Sequence, residues 1–181
     1  VDRRQRQMCI RDRVDPDGAI PDEAGLVAVM QVNNEIGTIQ PVEALAEAAH
    51  RAGALFLCDA VQGAGKLAAP HGADMIAISA HKLYGPKGIG ALWIRGGIDL
   101  KPLIHGGGQE QGLRSGTLSP ALCAGFGAAA ALAATRMDED AAHVAMLWAH
   151  ARAILSRWTP NGSAAHGGRR RYRRKTRWSE G

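Results

Sequence analysis

The chain has 181 residues, 46% hydrophobic and only 4% aromatic, which is enough for one domain with its own core and excludes a disordered composition. Its net charge of +5 resides at the ends: residues 1–13 hold five Arg against two Asp, and residues 166–181 hold seven Lys or Arg against one Glu. The middle is therefore mildly acidic, and the overall pI of 9.5 does not mark it as a nucleic-acid binder.

The three cysteines, Cys9, Cys58 and Cys123, form no CxxC pair, which argues against a disulfide scaffold or a cysteine-built metal site. No apolar run approaches the ~18 residues expected of a membrane helix. The first residues show no charged-then-apolar leader, so the cytoplasm is the default expectation.

Residues 1–13 show no usable periodicity and read as a head foreign to the rest of the chain. Leu26-Val27-Ala28-Val29-Met30-Gln31-Val32 is apolar with one polar residue, the pattern of a buried strand. Asn33-Asn34-Glu35-Ile36-Gly37 comes next as a loop whose amides can either meet a ligand or close a turn. Pro41 to Ala52 reads as a helix with Pro41 at the first position. Val42, Leu45, Ala46 and Ala49 lie on its buried face, and Gly53 follows its end. Ala54 to Cys58 is the next buried strand, terminated by Asp59. Strand, helix and strand make a βαβ unit that brings Asn34 and Asp59 to one edge of a parallel sheet.

Met75-Ile76-Ala77-Ile78 is a third strand, and Ser79-Ala80-His81-Lys82-Leu83-Tyr84-Gly85-Pro86-Lys87-Gly88 comes directly after it. Open α/β sheets bind ligands at this carboxyl edge. An amine partly desolvated there can act as a nucleophile, and Ser79 and His81 can donate hydrogen bonds to an anion. An amide, a carboxylate and an amine thus converge on one rim.

Gly90 to Arg95 reads as a strand antiparallel to the one before, because the connection is too short for a crossover. His105 to Thr117 is rich in glycine, with Arg114 and two hydroxyls able to hold an anion. No P-loop is present, since Gly65-Lys66 lacks the first glycine of that pattern. His71, His81 and His105 lack metal-ligand spacing. Ser119, as N-cap, to about Arg136 reads as one helix, and Asp138 to about Trp158 as a second, with Ala142, Ala145, Met146, Ala149 and Ala153 on one stripe. Residues 164–181 read as a basic tail. Its bland reading is a solvated or out-of-frame segment; its functional reading is a nucleic-acid contact through Tyr172 and Trp178.

Four segments carry a resemblance to cysteine desulfurases, pyridoxal-phosphate enzymes of the class V aminotransferase family. They are Val32 to Gly37, Asp59-Ala60-Val61-Gln62, Ser79 to Gly88, and His105 to Thr117, and the resemblance covers roughly Ala19 to Ser163. It implies an α/β fold, a mainly parallel sheet with flanking helices as in the large domain of fold-type I pyridoxal-phosphate enzymes, occupying residues 14–163 and truncated at both ends. It implies pyridoxal 5'-phosphate as cofactor, held covalently by Lys82, with Asp59 paired to the ring nitrogen. Asn34 and Gln62 would bond the ring's 3′ oxygen, and Ser79 and His81 the phosphate. Thr117 would reach the phosphate from the second subunit of a homodimer.

The implied reaction converts L-cysteine to L-alanine and leaves a persulfide on a catalytic cysteine, with sulfur-acceptor proteins and iron-sulfur cluster assembly as its setting. That cysteine and the arginine for the substrate carboxylate lie, in the family, beyond the region of resemblance. Cys58 and Cys123 are expected to be packing residues. Another class V member, such as a selenocysteine lyase or an aminotransferase, or a non-catalytic fragment, are the alternatives.

Overall fold

The computed structural model describes residues 13–16, 18 and 20–158, with side chains to Ser156. The head up to Asp12, Cys9 within it, and the basic tail lie outside the described residues. The chain divides into two compact units at Ala141 and Ala142. The first holds a four-stranded sheet in the order β1-β2-β3-β4, comprising β1 (Leu26–Met30), β2 (Leu55–Asp59), β3 (Met75–Ser79) and β4 (Gly90–Ile94). β1, β2 and β3 are parallel, and β4 runs antiparallel to β3, with Ser79 opposite Gly90. The mainly parallel α/β sheet is as expected from the sequence.

Helix α1 (Val42–Arg51) links β1 to β2. Val42, Leu45, Ala46 and Ala49 are buried, as their spacing predicts, and Ala48 joins them. Glu43 in the first turn and His50 and Arg51 in the last suit the helix dipole. Ala52 caps the helix, and Gly53 turns the chain at φ 75°, a backbone region open to glycine. Pro41 is the N-cap rather than the first helical residue, at φ −79° and ψ 66°. The α1 face packs on Phe56 and Cys58, both at 0% exposure, with Val27, Val29, Ile76 and Ile78 around them. Side chains alternate along a strand. One sheet face therefore holds Val29, Cys58 and Ile76 under α1, and the opposite face holds Met30, Asp59, Ala77 and Ser79.

β1 departs from the expected buried strand. It is an edge strand ending at Met30, and Leu26 is 53% exposed. A continuous apolar run suits a strand covered on both faces, and among the described residues α1 packs over one face of it while Leu26 and Ala28 on the other stay exposed.

The two helices expected after Ser119 are one, α2 (Pro120–Trp158). No glycine or proline interrupts residues 128–158, and Arg136 bridges the expected gap through Glu139 (3.6 Å) and Asp140 (3.2 Å). Pro120 opens the helix, while the Ser119 hydroxyl reaches the Leu122 N–H only at 3.5 Å. Small residues let the front of α2 run close to two segments of the same unit. A Cβ on Gly125 would stand 3.2 Å from Pro86, and Ala129 and Ala133 sit 3.1 and 2.9 Å from where Cβ atoms of Gly85 and Gly65 would lie.

The second unit holds the rest of α2 from Ala142. The expected buried stripe there is not seen: Ala142, Ala145, Met146, Ala149 and Ala153 are all exposed. The absence of a membrane-length apolar segment is likewise corrected. α2 contains an 18-residue window of mean hydropathy 1.2, long and apolar enough by length and composition, none of it fully buried.

At the amino edge of the sheet, the fully buried Asp74 ties three elements together. Its Oδ2 accepts from the Phe56 N–H (2.7 Å) and bonds His50 Nε2 (2.9 Å), while Arg95 Nη2 lies 2.7 Å from Oδ1 as an ion pair rather than a directed hydrogen bond. Burial alone would raise the Asp74 pKa. The Phe56 N–H, His50 and Arg95 outweigh it and hold the carboxyl below its ordinary 3.8. A depressed carboxyl stabilises the fold in full above its unfolded value, and that contribution is lost as pH falls through the folded one. Asp74→Asn should cost about 1–3 kcal/mol at neutral pH. Urea melts should show the gap between variant and parent narrowing below the unfolded value, and a gap that widens on acidification would contradict the ion-pair account.

Candidate active site

The carboxyl ends of β1, β2 and β3 form one rim. Met30 pairs with Asp59, and Asp59 with Ala77. The rim is continued by Gln31 N–H to the Asp59 carbonyl (2.8 Å) and Ala60 N–H to the Ala77 carbonyl (3.0 Å). Asp59 ends β2 because its Oδ1 takes the Val61 N–H at 3.0 Å, a local turn that competes with the ladder. Asp59 and Ser79 project on the sheet face away from α1, one strand and two residues apart.

Lys82 is not directly after β3. It closes a short 3₁₀ turn, Ala80–Lys82, and is half-buried. The turn is pinned by Ala80 N–H to the Ile89 carbonyl (3.1 Å), and by the Leu83 and Gly85 N–H groups to the Ala80 carbonyl (2.9 Å each). Tyr84 follows at φ 63°, a left-handed conformation unusual for a tyrosine, and is 91% exposed. A Cβ on Gly85 would stand 3.0 Å from the Ala80 carbonyl, so the turn is tight enough to favour glycine there. Ser79 Oγ and His81 Nδ1 are 2.8 Å apart, fixing the imidazole and leaving its other nitrogen outward.

The amides divide their two possible tasks. Asn33 Oδ1 accepts from the N–H groups of Glu35 (2.9 Å) and Ile36 (3.0 Å), so it makes the turn, while Asn34 stays exposed. Gln62 is half-buried in the loop after Asp59. Thr117 is exposed at the end of the glycine-rich segment beyond β4. That segment closes on itself: Gln109 Oε1 accepts the Gly116 N–H (3.0 Å), Arg114 Nη1 donates to the Gly116 carbonyl (3.3 Å), and Ser115 is buried. One Arg114 donor thus braces its own loop, and the guanidinium is otherwise exposed. Among the described residues no cluster of His, Cys, Asp and Glu is arranged for a metal ion.

Two residues of the rim carry no role in the sequence pattern. Gln31, 5% exposed, donates to the Ala68 carbonyl at 3.1 Å, and its Oε1 lies where a Cβ on Gly63 would go. Its one signal is its position as the single polar residue in an apolar run. Lys66 donates from Nζ to the Lys82 carbonyl at 2.9 Å; in the sequence it stands beside Gly65 in a failed P-loop match.

Cys58 is fully buried, and Cys123 is half-buried; both are free thiols. Burial first, and the neighbouring Asp59 charge second, push the Cys58 pKa up to about 12, against a lowering hydrogen bond from the Gln31 backbone. Iodoacetamide at pH 8 should leave Cys58 unmodified in the folded chain and alkylate it in urea, as read by peptide mass. Rapid labelling of the folded chain would refute its core placement.

A lysine on the turn after β3 and a carboxylate at the end of β2 lie at one edge of a mainly parallel sheet. The model of the class-V aminotransferases matches residues 11–165, and the chain belongs to that family. A cysteine desulfurase IscS of Rickettsia rickettsii (strain Iowa) is 47% identical over 135 residues, covering 72% of this chain and 33% of that protein. The mitochondrial cysteine desulfurase of Saccharomyces cerevisiae is 48% identical over 134 residues, covering 71% of this chain and 27% of its own length. A solved NifS-like protein superposes with a TM-score of 0.76 at 37% identity, over 81% of this chain and 42% of that one. The chain thus spans about a third of the length of the curated relatives it matches.

Proposed function

We propose that this chain is the cofactor-binding part of a pyridoxal-5'-phosphate-dependent cysteine desulfurase, whose complete form turns L-cysteine into L-alanine and passes the sulfur to a cysteine as a persulfide. The observation that carries the reading is the Lys82 amine on a pinned turn at the rim where Asp59 and Ser79 share one sheet face. The donor set fits the cofactor. An amine suits its aldehyde, a carboxylate its pyridine nitrogen, and a hydroxyl with an imidazole its phosphate. When bound, the cofactor supplies an electron sink for charge developing at the substrate carbon.

The residues of the chain do the rest. Asp59 holds the proton at the ring nitrogen. Gln62 and Asn34 orient the ring through its 3′ oxygen. Ser79 Oγ and His81 Nδ1 share one hydrogen at 2.8 Å, so the neutral pair turns a single donor, the Ser79 O–H or the His81 Nε2–H, to the phosphate. Lys82 holds the cofactor and carries a proton to and from the substrate carbon. Thr117, exposed beyond β4, serves the site of a second copy in a homodimer. Cys58 does not receive the sulfur, because it faces α1 and resists ionisation. The persulfide cysteine belongs to the part of the enzyme beyond these residues, as does docking of a sulfur acceptor for iron-sulfur cluster assembly. Kinship with bacterial and mitochondrial proteins is compatible with a cytoplasmic or an organellar setting.

The test supplies the 181-residue chain with pyridoxal phosphate and L-cysteine and measures alanine and sulfide. We expect cofactor capture without enzyme-like turnover, and turnover once the chain is completed to the length of its relatives. Turnover by the chain alone that disappears in Cys58→Ala would overturn the assignment of the nucleophile.

A further inference from the structure

We propose that Lys66 is a positioning residue for Lys82, locking the turn that presents the Lys82 amine to the loop after Asp59. The inference rests on the reading of Lys82 as the cofactor-holding residue. Its geometry is direct: Lys66 Nζ donates to the Lys82 carbonyl at 2.9 Å, across a sequence separation of 16. The last carbonyls of a helical turn lack partners within it, and a lysine ammonium is a suitable donor to them.

Lys66 is itself held from the Asp59 side. Gly63 and Ala64 N–H groups bond the Ala60 carbonyl (3.0 and 2.8 Å), and the Lys66 and Leu67 N–H groups bond the Gly63 carbonyl (2.9 and 2.8 Å). This double turn begins one residue after Asp59 and contains Gln62. Gly65 lets it approach the Lys82 turn, at φ 69°, with a Cβ there standing only 2.6 Å from Leu83 Cδ2. Gln31 anchors its far end through the Ala68 carbonyl. Lys66 thus joins the loop after Asp59 to the backbone of the turn that carries Lys82. The Lys66 side chain is exposed, and its pKa is lowered by desolvation first and by the like charge of Lys82 second.

The test compares Lys66→Met, which keeps the stem and removes the donor, with Lys66→Arg, which keeps a cationic donor. Three quantities are measured on the full chain: melting temperature, amide exchange across residues 80–85 without cofactor, and the rate at which pyridoxal phosphate is trapped on Lys82 by borohydride. Loss of one hydrogen bond should speed exchange at these amides about three- to tenfold in Lys66→Met. Trapping on Lys82 should slow by a similar factor, with melting little changed, and Lys66→Arg should restore both. Unchanged trapping in Lys66→Met overturns the proposal. So does a collapse in melting temperature, or a failure of Lys66→Arg to restore trapping, since either makes Lys66 something other than a positioner. Undiminished trapping in Lys82→Ala would instead topple the reading beneath it.

Discussion

Replacing Lys82 with alanine should abolish the stoichiometric borohydride-reducible attachment of pyridoxal phosphate to this chain. Alanine has no nucleophile, and no neighbouring amine occupies the same place: Lys66 is engaged with the Lys82 carbonyl. The turn itself should survive, because its bonds are between backbone groups of Ala80, Leu83, Gly85 and Ile89 and do not need the Lys82 side chain. Cofactor should therefore still associate through Ser79, His81 and Asp59, but reversibly, and dialysis should remove it. In the completed enzyme the same change also removes the proton carrier, a role worth about 10²–10⁴-fold by itself. Visible absorbance before and after dialysis reads the first effect, and alanine formation the second. A stoichiometric reduced adduct that persists in Lys82→Ala would contradict the assignment.

Asp59→Asn should leave attachment nearly intact and lower turnover of the completed enzyme by about 10²–10³-fold, the range for removing one preorganised electrostatic partner. The amide is close to isosteric, and its oxygen can still accept the Val61 N–H that ends β2, so the fold gives no reason for a large loss of stability. What disappears is the negative charge that favours a proton on the pyridine nitrogen. The separation of binding from turnover is the diagnostic feature. Equal loss of both would mean that Asp59 acts through structure, and normal turnover would mean that the ring nitrogen has another partner.

The rim was legible because it rests on short, local signals. Apolar runs that end in Asp59 and Ser79 announce parallel strands, and strand periodicity alone separates Cys58 from Asp59 onto opposite faces. The α1 face followed from helical spacing, and the short connection through Gly85 and Gly88 announced the antiparallel β4. What was not legible depends on neighbours distant in sequence. Nothing near Leu26 says that β1 lies at an edge of this sheet and is covered on one face only.

The join at Arg136 to Asp140 looked like a boundary because charges interrupt an alanine run, yet those charges pair along one helix and reinforce it. Asn33 and Asn34 could be told apart only once one had closed its turn. The roles of Gln31 and Lys66 are not legible in the sequence because each acts on a backbone carbonyl, and a carbonyl leaves no mark there.

The central claim is that one lysine on the sheet rim captures the cofactor, and peptide mapping tests it most directly. The chain is incubated with pyridoxal phosphate, reduced with borohydride, digested and sequenced by tandem mass spectrometry. The account predicts that the pyridoxyl mass lies on Lys82, at substoichiometric levels or none on Lys66, Lys87 and Lys101. Labelling spread evenly over the surface lysines, or concentrated on one of them with Lys82 bare, would contradict it.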